Sequence, residues 1–266
     1  MIKFFRKIRQ NLISANKFSK YLIYAVGEII LVVIGILIAL QVNNWNENKN
    51  SENKTLISLS FLAEELNSNK KVLKSNIDLI KFDIQTGLNL IDSLNNNSVS
   101  KEKKNTYLLD KILELGPIRV RSLTTNSLEE MISSGSYSNI NSETIKENLL
   151  AYNSEIENMN YELQRFEQYW RTIESPYITK HFSLLDMYTR RGDSLINEDA
   201  FLSGGNIPTF NNQEVYFVND LDAFYNNREF ASMYISRFFD LRAVLRAMYR
   251  LDVSIDELLD NITKVN

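Results

Sequence analysis

The stretch Ser142–Glu174, SETIKENLLAYNSEIENMNYELQRFEQYWRTIE, reads as one long amphipathic helix. Ile145, Leu149, Tyr152, Ile156, Met159, Leu163, Phe166, Trp170 and Ile173 recur at alternating spacings of four and three, which places them all on one helical face. Ser175-Pro176 follows at once and predicts a stop, because the residue before a proline is pushed out of the helical region.

A helix with a single apolar face must be covered by other elements, and the flanking sequence supplies more helices. Downstream, Tyr177–Tyr188 reads as a further helix and Arg190–Asn219 as the main irregular segment, with Val215–Val218 short and extended. The last helix runs from about Asn226 to Ile262, with Phe230, Tyr234, Phe238, Leu241, Leu245, Met248, Ile255 and Ile262 as its stripe. That stripe slips at Asp252, which predicts a kink or break at Val253-Ser254.

Upstream, Ser127–Ser133 reads as a short helix ended by Gly135 in a left-handed position, and Ile118–Thr125 as an extended piece. Lys101–Leu115 is a helix with Ser100 as N-cap and Gly116-Pro117 as stop. From Leu56 a near-heptad seam runs through Leu59, Leu62, Leu66, Leu73, Ile77, Ile80, Ile84, Ile91 and Leu94 to a stop in Asn95-Asn96-Asn97-Ser98. Asn69 and Gly87 are its weak positions, and it stutters near Val72. Only 8 Gly and 3 Pro in 266 residues disfavour a β-rich or loop-rich fold. The expected fold is all-α, an antiparallel bundle of long, coiled-coil-like helices.

One segment does not belong to that bundle. Tyr21–Val42, YLIYAVGEIILVVIGILIALQV, is long enough to cross a bilayer. Tyr21 and Tyr24 at one end and Trp45 at the other are expected interface anchors. A cleaved signal peptide is the weaker reading, since the apolar run is long and no small-residue cleavage pattern follows it. Tyr21, Ala25, Glu28, Val32, Gly35, Ala39 and Val42 share one face, and Gly35-x-x-x-Ala39 is a small-residue pair that lets two helices approach closely. Glu28 lies on that face. A charged group at the helix centre costs about 2.5–3.5 kcal/mol on insertion scales, which protonation or a polar partner in a neighbouring helix relieves.

Residues 1–20 carry Lys3, Arg6, Lys7, Arg9, Lys17 and Lys20 and no acid, whereas the residues after the span mix signs. The positive-inside rule then keeps the N-terminus in the cytoplasm and sends the rest across the membrane. Phe5, Ile8 and Leu12 would let this tail lie on the inner membrane face as a short amphipathic helix, the alternative being a topology signal and no more. The expected organisation is a basic tail over 1–20, a transmembrane helix over 21–45 and a helical domain over 46–266, periplasmic in a Gram-negative bacterium. With a formal net charge of −3 and a basic tail, the outer domain is acidic, which argues against nucleic-acid binding.

The run MIKFFRKIRQNLISANKFSKYLIYAVGEIILVVIGILIALQVNNWNE and the later LEEMISSGSYSNINSETIKENLLAYN resemble the two recognisable blocks of a family of single-pass membrane proteins. That family is widespread in one group of Gram-negative bacteria and has a domain of unknown function. The resemblance implies a membrane-anchored helical domain, and it carries over no catalytic or ligand residue.

Chemistry-bearing motifs are sparse. Cys is absent and His181 is the single histidine, which removes thiol chemistry and Cys- or His-rich metal sites. Gly204-Gly205 lacks the lysine of a phosphate loop, and Arg191-Gly192-Asp193 is a chance tripeptide. The acids Glu64, Glu65, Glu129, Glu130, Glu155, Glu157 and Glu162 read as solvated helix faces. The aromatics Phe166, Tyr169, Trp170, Tyr177 and Phe182 read as core packing rather than a ligand pocket. The expectation is a membrane-anchored scaffold or interaction protein of the cell envelope, not an enzyme, with no cofactor and no metal. Its partners would be the lipid bilayer and either a second copy or another membrane protein, met along Ala25, Glu28, Gly35 and Ala39. The alternative is an ion- or proton-coupled subunit of an envelope complex that uses Glu28.

Overall fold

The structure, a computed structural model, describes residues 18–96, 98–112, 116–182, 221–225 and 227–264. It is all-α, with no strand among the described residues. In chain order the helices are α1 (Phe18–Asn95), α2 (Lys101–Ile112), α3 (Asn126–Ser133), α4 (Glu143–Tyr169), α5 (Ser175–His181) and α6 (Arg228–Thr263). A π-helical turn, Trp170–Glu174, joins α4 to α5. The basic tail, Leu113–Leu115, the second half of the expected Tyr177–Tyr188 helix and the segment Arg190–Asn219 with Val215–Val218 lie outside the described residues, apart from the last three residues of the tail, which begin α1.

The chain divides into two compact units, Met1–Leu59 with Glu130–Asn141, and Ser60–Glu129 with Ser142–Asn266. In the first, α1 is long and apolar enough to cross a membrane, and none of its apolar window is buried. Among the described residues of this unit, Thr55, Leu59, Met131 and Ile140 are buried. Gly135 adopts φ 75°, the left-handed conformation expected of it. Asn141 Nδ2 donates to Glu52 Oε1 at 3.4 Å.

The second unit is the helical core. α6 runs antiparallel to α4, as Arg165 meets Asp240 while Glu155 meets Arg250. It runs antiparallel to α1 as well, as Asp83 meets Arg237 while Lys70 meets Asp256. Ser142 caps α4, its hydroxyl accepting from Ile145 N–H at 3.3 Å, and Asn227 caps α6 by accepting from Glu229 and Phe230.

Three expectations need correction. The expected break at Val253-Ser254 is absent, and α6 is continuous to Thr263. Met248, Leu251, Ile255, Leu258 and Ile262 keep unbroken four-three spacing in the core, so Leu251 holds the place that Asp252 appeared to vacate. The stutter near Val72 is also absent. The buried line of α1 passes through Leu62, Asn69, Asn76, Asp83 and Leu90 at seven-residue spacing, beside Leu66, Leu73, Ile80, Gly87 and Leu94. Skipping the polar members of that line shifts a hydrophobicity-based reading onto Ile84 and Ile91, which are only half-buried. Finally, Ser175-Pro176 does not halt the helix. Pro176 offers no N–H, and the chain passes it by widening a turn, with Ser175 N–H donating to Trp170 C=O five residues back.

A buried ionic cluster as the candidate functional site

The widened turn changes which side chain faces inward. Four-three spacing carries the α4 stripe from Trp170 to Ile173, yet Ile173 is 49% exposed and Glu174 is 2% exposed. One extra residue in the turn rotates the face by one position and exchanges an isoleucine for a carboxylate.

Glu174 enters the core opposite Arg237 of α6, itself 1% exposed. Arg237 Nη1 donates to Glu174 Oε2 at 2.5 Å. Its Nε donates to Asp83 Oδ1 at 3.1 Å, and its Nη2 to Asp83 Oδ1 and Oδ2 at 2.9 and 2.8 Å. Nη2 also donates to the Gly116 carbonyl at 3.0 Å. The guanidinium lies over the Phe166 ring, 5.0 Å from its centroid. Only arginine presents donors in a planar fork that can serve two carboxylates and a carbonyl together.

The charges do not balance: one cation faces two carboxylates. Glu174 Oε1 is buried without a hydrogen-bond partner, as is Trp170 Nε1 in the same turn. Burial pushes the Glu174 carboxyl up to about 7, Arg237 pulling it back while Asp83 and Asp240 add to the rise. Burial also raises Asp83, against the opposing pull of Arg237. One buried cation between two acids thus favours the protonated form of a carboxyl in the cluster.

The polar residues of α1 position the rest of the site. Asn69 Nδ2 donates to Thr124 C=O at 2.7 Å and its Oδ1 accepts from Thr124 N–H at 2.9 Å. Asn76 repeats this with Arg121, at 2.9 and 3.0 Å. Each side-chain amide thus pairs with a main-chain residue as another peptide would. Seven helical residues rise about 10.5 Å, close to the roughly 10 Å that three extended residues span, so successive pairings stay in register. Glu65 Oε2 then accepts from Ser127 N–H at 2.9 Å, at the start of α3. The segment 116–125, which includes the Ile118–Thr125 piece expected to be extended, is clipped along α1 with Arg237 closing its Gly116 end.

The residues singled out from the sequence lie elsewhere. Ala25 and Glu28 on α1 are half-buried, while Gly35 and Ala39 are exposed, with open space where a Gly35 Cβ would stand. Tyr21 and Tyr24 fall on α1, their side chains outside the description. Trp45 is 64% exposed, with Lys49 Nζ 5.4 Å from its ring centroid. Of the acids, Glu155 pairs with Arg250, Glu162 with Arg165, and Glu129 accepts from Thr125 Oγ1 at 2.6 Å. Among the described residues no three metal-ligating side chains gather. Tyr177 and Phe182 pack with Phe224 and Phe230, and Tyr177 O–H donates to Ala223 C=O. The recess beside this packing, at Ile91, Leu94 and Arg228, measures about 190 Å³, below the ~300 Å³ at which small-molecule pockets begin. Phe166, under the Arg237 guanidinium, and Tyr169, beside Glu174, link these aromatics to the ionic cluster.

A model of a family of unknown function, DUF6090, matches residues 28–197. The chain belongs to this family. The match includes Asp83 and Glu174 and ends before Arg237. No curated protein and no solved structure matches the chain.

Proposed function

We propose that this member of the DUF6090 family is a membrane-anchored helical scaffold or interaction protein of the cell envelope. Its N-terminus would lie in the cytoplasm and its helical unit across the inner membrane. The carrying observation is the stretch Ala25–Val42 of α1. Its apolar side chains stand in the open, Ile29 63% and Leu31 69% exposed, while Gly35 and Ala39 leave room for a second helix on one face. An uncovered apolar surface of this size calls for lipid and for a packing partner. The partner favoured by the face is a second copy or another single membrane helix. Oligomer size in detergent, compared between the wild type and Gly35→Leu combined with Ala39→Leu, tests this. The double variant should dissociate, and unchanged assembly would reject the face.

A second reading, coupling of an ion or proton to an envelope complex, draws on Glu28, which sits on that same face. Glu28→Gln should then abolish activity in cells while leaving membrane insertion intact. A fully active Gln variant rejects it.

A further inference from the structure

Two acids share one buried cation at the point where four segments of the helical unit meet: α1 through Asp83, the Gly116 turn, the π-turn through Glu174, and α6 through Arg237. The Arg237 donors reach Asp83, Gly116 and one Glu174 oxygen, and the other Glu174 oxygen is buried without a hydrogen-bond partner. We propose that Glu174 is a proton-operated clasp. With a proton on its carboxyl the cluster closes as a neutral unit that holds the π-turn, α6 and the Gly116 turn together. Losing that proton leaves a buried net charge that loosens the π-turn and the Gly116–Thr125 segment.

The groups that face Glu174 favour this response. Asp83 comes from α1, Arg237 and Asp240 from α6, and Tyr234 and Tyr169 lie beside them with hydroxyls that burial keeps protonated. Glu174 thus meets one cation and two further acids. Because its folded value is raised from 4.5 to about 7, its contribution to stability is full below the unfolded value and is lost as pH rises through about 7. The π-turn supplies the mechanical element: it is a single five-residue π-helical turn, Trp170–Glu174, between two α-helices, so a change at Glu174 can be taken up locally.

Trp170 reports on this turn. The full chain contains two tryptophans, Trp45 and Trp170, so Trp45→Phe leaves Trp170 as the sole emitter. In detergent micelles its emission should shift in one step with a midpoint near pH 7, and the melting temperature should fall as pH rises above the unfolded value of 4.5 and level off above about 7. Glu174→Gln should hold the emission at its acid-side value at every pH and flatten the melting curve. Asp83→Asn removes a like charge and should move the midpoint down by about one pH unit. A step that persists in Glu174→Gln belongs to another group and overturns the proposal. So does the absence of any step, or an unmoved midpoint in Asp83→Asn. Should Glu174→Gln fail to fold by circular dichroism, the Asp83→Asn midpoint decides alone.

Discussion

Two stretches of α1 present opposite mismatches. Between Ala25 and Val42 apolar side chains face outward, Leu31 being 69% exposed. Between Leu62 and Leu94 polar side chains face inward, with Asn69 at 1%, Asn76 at 3% and Asp83 at 8% exposure. A buried polar group is tolerable only when it is hydrogen-bonded, and Asn69, Asn76 and Asp83 have their partners in Thr124, Arg121 and Arg237. The first stretch is the converse, an apolar surface that the described residues of its own unit leave uncovered. Breaking the second stretch should therefore register in the stability of the chain itself, whereas breaking the Gly35/Ala39 face should register in assembly.

The largest effect is expected at Arg237. Arg237→Ala strands Asp83 and Glu174 in the core and should cost about 3–5 kcal/mol, read by denaturant unfolding. Arg237→Met combined with Asp83→Asn and Glu174→Gln, which removes the charges together, should recover most of that loss. If Arg237→Ala is nearly silent, the cluster is not what joins its segments. Next comes Gly87, where an added Cβ would fall 1.0 Å from the Tyr234 hydroxyl oxygen. Gly87→Ala should cost about 1–3 kcal/mol by overpacking, and Tyr234→Leu in the same chain should relieve the clash, so that the two losses do not add.

The sequence carried the helical class, the long stripe of α4 with its start at Ser142, the left-handed Gly135 and the apolar span. It did not reveal the cluster, for two physical reasons. Asp83 and Asn76 sit on an apolar line, and a reading built on hydrophobicity steps around polar residues rather than through them. Glu174 reaches the core only because one turn is π-helical, which no four-three pattern anticipates. Signals were present nonetheless. Asn69, Asn76 and Asp83 recur at seven-residue spacing beside the apolar seam, and a proline lies two residues after Glu174 in a sequence otherwise fit to stay helical. Gly87 is a weak position in the apolar seam because it is the seat of Tyr234.

The smallest effect separates two neighbours on α1. Asn69 is buried and pairs with Thr124 and with the Tyr152 hydroxyl, whereas Lys70, 38% exposed at its side chain, pairs with Asp256 at the surface. That ion pair raises the Lys70 ammonium, the Asp256 hydrogen bond leading, but water and counterions screen an exposed pair. Lys70→Gln should cost less than about 1 kcal/mol, and the difference should vanish in high salt. Asn69→Ala leaves the Thr124 N–H and C=O without their partner and should cost about 1–3 kcal/mol at any ionic strength. Unfolding both variants in low and high salt checks the contrast. A salt-sensitive Asn69→Ala, or a Lys70→Gln as costly as its neighbour, would mean that burial does not divide the two residues. Then the amide pairing along Gly116–Thr125 could not be what justifies polar side chains inside α1.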